Sequence, residues 1–311
     1  MGSCRPVILR VFLPVLLWVG AGVLAGACGQ AAVDEAIWQW ESGQTQRALS
    51  TISSAVEGRE AQNPEAWYVL GFFEKERFKS DERWDPNSPR RESALAAFRR
   101  SMALQPQGVL LEDLEKALRF VGDTYFQQAM NGLRGLSPGQ AAQAVQSFNT
   151  YLSIDELLGA TAADLDKQRA EWDRQMGLAH GQMLSAGRLG ATEEQEALVA
   201  AVGHYEASLA LEPEHYSTLY NLAITLYNHG VRQLKRIGPE TSMFELMEIQ
   251  DVCIALFEES LPVMERAHAI QPRRLETLKG LMTIHHALSQ PEASEKYRLQ
   301  LEEVIRAGGG E

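Results

Sequence analysis

Trp67-x-x-Leu70-Gly71, followed by Ala94-x3-Phe98-x2-Ser101-x4-Pro106, has the spacing of two packed helices. Leu219-x-x-Leu222-Ala223 followed by Ser260-x3-Met264-x2-Ala267-x4-Pro272 repeats it, and Ala201-x3-Tyr205-x2-Ser208-x4-Pro213 repeats its second half. Small residues at fixed positions let two antiparallel helices approach closely. Large ones fill the gap between hairpins, and Pro ends the second helix. Helical spacing extends outside these stretches. Leu111, Leu114, Leu118, Val121, Tyr125, Ala129 and Leu133 recur at steps of three and four, so they share one helix face. Leu165, Trp172, Met176, Ala179 and Met183 do the same. Ser137-Pro138 has the form of a helix start, and Thr192 with Gln195 that of a capping box. No alternating β pattern of useful length occurs, so the chain is expected to be all-α.

The repeated pattern resembles the tetratricopeptide repeat, W-x2-L-G-x2-Y followed by A-x3-F-x2-A-x4-P. Weaker copies lie at Ala48-x3-Ile52-x2-Ala55, at Ala144-x3-Phe148-x2-Tyr151 and at Leu278-x-x-Leu281-Met282. The resemblance implies an α-solenoid over residues 34–306. Its six antiparallel helical hairpins fall near residues 31–62, 64–106, 109–155, 162–213, 216–272 and 275–306, several with elongated helices. Two departures stand out. Between Glu74 and Ala94, a charged segment with Pro86 and Pro89 is expected to be a solvated loop carrying Trp84. Between Leu226 and Ser260, only Ile237–Thr241 reads as a turn. Both flanks continue a helical pattern, which lengthens the 228–259 hairpin, with Pro262 inside its second helix.

The first 27 residues read as a leader. Arg5 and Arg10 give a basic start, and Val11 to Ala27 carry no charge. Leu24-Ala25-Gly26-Ala27-Cys28 resembles a bacterial lipobox, with Ala25 where Leu is usual. That resemblance implies cleavage before Cys28 and acylation of its new amino terminus. Residues 28–33 would then be a lipidated tether to a bacterial envelope membrane. Gly29 in place of Asp favours the outer membrane. Ala25-x-Ala27 also fits an ordinary leader-peptidase site, which would leave the protein secreted or periplasmic. Residues 307–311 form a Gly-rich flexible tail.

Composition excludes more function classes than it suggests. Formal charge is −12, from 29 basic and 41 acidic residues, a poor match for a nucleic-acid partner. Three cysteines, Cys4, Cys28 and Cys253, cannot make a disulfide framework or a four-ligand zinc site. His285 and His286 point about 100° apart on a helix and do not easily share a metal. Phosphate-loop, nucleophile-elbow and dinucleotide motifs are lacking in the sequence. No enzyme, metal or cofactor is therefore expected.

What remains is a binding surface. In tetratricopeptide families the first helix of each hairpin lines a concave groove. By that resemblance the partner-binding candidates are Tyr68, Phe72 and Lys75, flanked by Glu65 and Glu76, in the second hairpin. The fifth hairpin offers Ser217, Tyr220, Ile224, Tyr227 and Asn228, and the last offers Glu276, Lys279, Thr283 and His286. Trp84 is a further contact candidate. The expected partner is a protein or peptide, with membrane attachment through the lipid on Cys28. Such lipoproteins resemble accessory subunits of outer-membrane protein and pilus secretin assembly. The second possibility is an envelope glycan-binding or nutrient-uptake accessory with Trp84, Tyr68 and Tyr220 as sugar platforms.

Overall fold

The structure, a computed structural model, describes residues 30–83, 85–134 and 137–308. The leader, Cys28, Trp84 and residues 309–311 lie outside the described residues. Within them are twelve α-helices and no strand. The helices are α1 (Gln30–Glu41), α2 (Thr45–Glu57), α3 (Pro64–Arg77), α4 (Pro89–Leu104), α5 (Leu111–Gly132) and α6 (Pro138–Leu157). They continue with α7 (Ala162–Ser185), α8 (Ala191–Leu211), α9 (Tyr216–Leu234), α10 (Met243–Ile270), α11 (Leu275–Ala287) and α12 (Pro291–Arg306). Taken in pairs, they are the six expected hairpins. Two compact units divide between Val121 and Gly122, inside α5.

In the first unit, α1 begins at Gln30, inside the segment expected to be a tether. Val33 and Ala36, three residues apart, are both fully buried, which is why the helix starts early. Trp40 stacks on Phe73 at 4.2 Å. In the α3–α4 hairpin, a Cβ on Gly71 would lie 2.6 Å from the Phe98 ring, so the ring packs directly on helix backbone. Ser101 Oγ donates to Pro64 O at 2.7 Å near the other end of the pair, fixing an antiparallel register.

Most of the described residues from Lys79 to Pro89 are exposed, as expected of a solvated segment, but its start is helical and anchored. Helix α3 runs on to Arg77 and passes into a π-helical turn, Phe78–Glu82. Phe78 is completely buried, with the Arg91 guanidinium 5.7 Å from its ring centre. Arg90 bridges Glu74 and Glu82, each at 3.0 Å, and Ser88 caps α4 by accepting from Arg91 N. One apolar anchor and internally paired charges hold the segment against the hairpin.

In the second unit, α6 to α10 span 20, 24, 21, 19 and 28 residues, against 13 and 16 for α11 and α12. The expected elongation is present. Antiparallel pairing recurs in the contacts Gly122–Ile154 and Gly132–Ala144 for α5–α6. In α7–α8, Gly177 would place a Cβ 2.7 Å from the Tyr205 ring, and in α9–α10 Gly230 does the same against Phe257. Ser260 Oγ donates to Ala223 O at 2.8 Å, and Cys253 is a buried thiol donating to Gly230 O. Helix α10 continues through Pro262. Its start is apolar and open to solvent: Met243, Phe244 and Met247 are exposed, Phe244 by 85%. One cap differs from expectation. Helix α8 starts at Ala191, and the Glu193 carboxylate accepts from Gly190 N at 2.9 Å, so Thr192 lies inside the helix. Within each unit, helices pack on those one or two along the chain.

Candidate partner-binding clefts

The expected groove residues divide by unit. In the first, Tyr68 is only 6% exposed, wedged between Phe72 and Phe98 with ring centres 6.4 and 6.1 Å away. Burial, aided by Asp113 and Glu76, pushes its phenol up to about 12. Lys75 covers the Phe72 ring at 4.6 Å and pairs with Glu76 at 3.0 Å. Tyr68 and Lys75 thus serve the packing of their own unit. The buried Tyr68 cannot present a flat face to a sugar or a peptide.

In the second unit, Tyr220 and Tyr227 turn toward α10 and α11. Both pack on the core of Ala223, Met264, Leu281 and Ile284, and Tyr227 meets Phe257 at 5.2 Å. Ile224 packs on the same core, and with Asn228 it also borders a cleft between α7 and α9 with Tyr205 of α8 at its base. The cleft holds about 140 Å³. Asn221, Thr225 and Arg232 complete the α9 wall, while Leu178, Gln182 and Ser185 form the α7 wall. Gly181 faces Thr225 across the cleft, where a Cβ would sit 3.4 Å from Thr225 Oγ1, within ordinary contact. Burial pushes the Tyr205 phenol up to about 12, despite its bond to Thr225.

Arg232 is half-buried, and its Nε is buried without a hydrogen-bond partner. Burial, and then the neighbouring Arg236, lower its pKa, against a raising pull from Glu194. The buried Glu194 carboxylate pairs with Arg236 instead. Arg232 forms no ion pair with a described residue.

A second cleft, about 320 Å³, lies between α5 and α7 over α6. Phe126, Met130 and Tyr151 line it, with Phe148 and Trp172 stacked at 4.4 Å in its floor. Gln168, Glu171 and Gln175 supply a polar wall. Gln168 Nε2 donates to Asp155 Oδ2 at 2.8 Å, while its Oε1 is buried with no partner. Burial and a bond to Asp155 hold the Tyr151 phenol well above its ordinary range. Gln168, Glu171, Gln175, Leu178, Gln182 and Ser185 follow one another at steps of three and four. One face of α7 therefore serves both clefts.

The sequence pattern missed α7 as the shared wall, because its first half-repeat has Asp173 where Trp is usual, ahead of Met176-Gly177. Glycine opposite Tyr205 was the signal that could have found it.

The histidines differ in their surroundings. His285 is buried and stacks on Tyr297, whereas His286 is exposed. The His180 and His204 rings lie 5.8 Å apart, and His204 Nδ1 is 2.8 Å from Asp173 Oδ1. Among the described residues, no group of three or more His, Cys, Asp or Glu could hold a metal, and no helix is long and apolar enough to cross a membrane.

No protein-family model matches the chain, and no curated protein matches it. Among solved structures, it is similar to pilF of Pseudomonas aeruginosa at 14% identity, covering 89% of this chain and 91% of that one, with a TM-score of 0.32. It is also similar to PilW, described as a widely conserved type IV pilus biogenesis factor, at 14% identity over 88% and 92% of the chains and a TM-score of 0.30. The MamA protein gives 15% identity over 79% and 93%, with a TM-score of 0.32.

Proposed function

We propose that this protein is a non-enzymatic scaffold that binds a protein or peptide partner through the face formed by α5, α7 and α9. The observation that carries this is the pair of clefts served by one face of α7, one aromatic and one rich in carboxamides. Alternating apolar pockets and amide groups suit an extended peptide, whose side chains enter pockets while its backbone pairs with Asn and Gln. The lipobox-like leader supports a lipid anchor on Cys28 at a bacterial envelope membrane, with the outer membrane favoured by Gly29.

Photo-crosslinking amino acids placed at Asn228 and Gln175 in cells should trap a partner. The same group at Glu206, exposed on α8, should not. Equal trapping at all three positions, or none at the first two, would defeat the proposal. Mass spectrometry of the mature N-terminus should find an acylated Cys28; an unmodified one would remove the anchor.

A further inference from the structure

We propose that the two clefts bind one extended peptide by an acidic side chain and a large apolar side chain. The acidic carboxylate pairs with Arg232, and the apolar group enters the cleft of Phe126, Met130 and Trp172. This deepens the interaction role above and rests on it.

Three observations carry the assignment. The first is Arg232 itself. A guanidinium half-removed from water, with a buried N–H that no protein group accepts, is held short of its hydrogen-bonding capacity. A carboxylate supplies what it lacks, in the fork geometry that favours Arg over Lys. The second is charge. In a chain with 41 acidic residues, none falls in the 19 residues of α9, and none lies between Arg174 and the end of α7 at Ser185. The nearest carboxylate, Glu194, is occupied by Arg236. The cleft walls thus hold an unneutralised cation and nothing to repel an anion, although the protein as a whole is negative. The third is spacing. From Trp172 to Gln182 along α7 is about 15 Å at the α-helical rise. An extended peptide covers that in about four to five residues. Along this span, Gln175 and Gln182 on α7 and Asn221 and Asn228 on α9 can each give and accept a backbone hydrogen bond.

The test is fluorescence anisotropy with the full chain and an amidated, dye-labelled peptide in which Trp and Glu are separated by four Ser. Changing that Glu to Gln, or the Trp to Ala, should weaken binding about tenfold or more. Arg232→Gln should reduce binding of the Glu peptide to the level of the Gln peptide and leave the Gln peptide unaffected. Asn228→Asp, at an exposed position, should weaken the Glu peptide several-fold more than the Gln peptide, by repulsion, and covers the case in which Arg232→Gln fails to fold. Equal weakening of both peptides by Asn228→Asp would overturn the proposal. So would tight, Arg232-dependent binding of the Gln peptide when its C-terminus is left free, because the cleft would then hold a chain end. Should no peptide bind while Asn228 still cross-links a partner in cells, the peptide assignment fails and the scaffold role stands. If the cross-link fails too, both fall.

Discussion

Gly71, Gly177 and Gly230 each sit under an aromatic ring from the second helix of their hairpin, at distances no Cβ would tolerate. Alanine in a helix normally stabilises relative to glycine by about 0.5–1 kcal/mol. At Gly177 the sign should reverse. Tyr205 is nearly fully buried and its ring cannot retreat, so Gly177→Ala should cost about 1–3 kcal/mol through overpacking. Gly203, on α8 with open space around it, is the control, and Gly203→Ala should gain about 0.5–1 kcal/mol. Urea titrations of the two variants check this, and a change of the same sign in both would contradict the packing described. The Gly71–Phe98 contact was legible in the sequence because both residues fall on the repeat pattern. Ile224 and Asn228 fall on the repeat positions too, and both border the α7–α9 cleft. Tyr68 was not, since the pattern cannot tell a ring that lines a groove from one that fills a core. Arg232, on which the proposed peptide site rests, was not singled out in the sequence because it lies beyond the repeat positions from which partner contacts were expected.

Element boundaries follow local chemistry, and α10 shows how. Ser242 Oγ accepts from Glu245 N, and the Glu245 carboxylate accepts from Ser242 N at 2.8 Å, closing a capping box ahead of the exposed Met243 and Phe244. Ser242→Ala should weaken this start by about 0.5–2 kcal/mol. The loss should be local: hydrogen exchange should quicken in the first turns of α10 and stay unchanged in α11 and α12. Exchange quickening along the whole unit would show that the helix start is coupled more widely than its few contacts imply. The long hairpin was readable because its apolar residues kept helical spacing on both sides of a short turn. The π-turn at Phe78 was not, since charge and proline dominate that segment and a single buried ring outweighs them. At Gly190, a backbone N–H held by Glu193 took the role expected of Thr192.

At the scale of the whole molecule, proton linkage has a definite sign. Burial lowers the pKa of His180, His215, His229 and His268 from the ordinary 6.5. The unfolded chain therefore takes up protons at these sites before the native chain does as pH falls below about 6.5, and stability falls with it. Carboxylates held low, such as Glu76 and Glu171, act in the same direction but only near and below their ordinary 4.5. The melting temperature should therefore drop between pH 7.5 and 5.5, and His180→Gln should flatten that slope. A midpoint unchanged or higher at pH 5.5 would contradict the burial of these rings. The packing of helices on near neighbours within each unit bears on how the chain folds. A fold with few contacts between distant parts of the sequence closes only short loops as it forms, so it forms quickly and can start at any hairpin. A chain emerging N-terminus first from the ribosome can complete each hairpin as it appears, without waiting for its last residues to arrive.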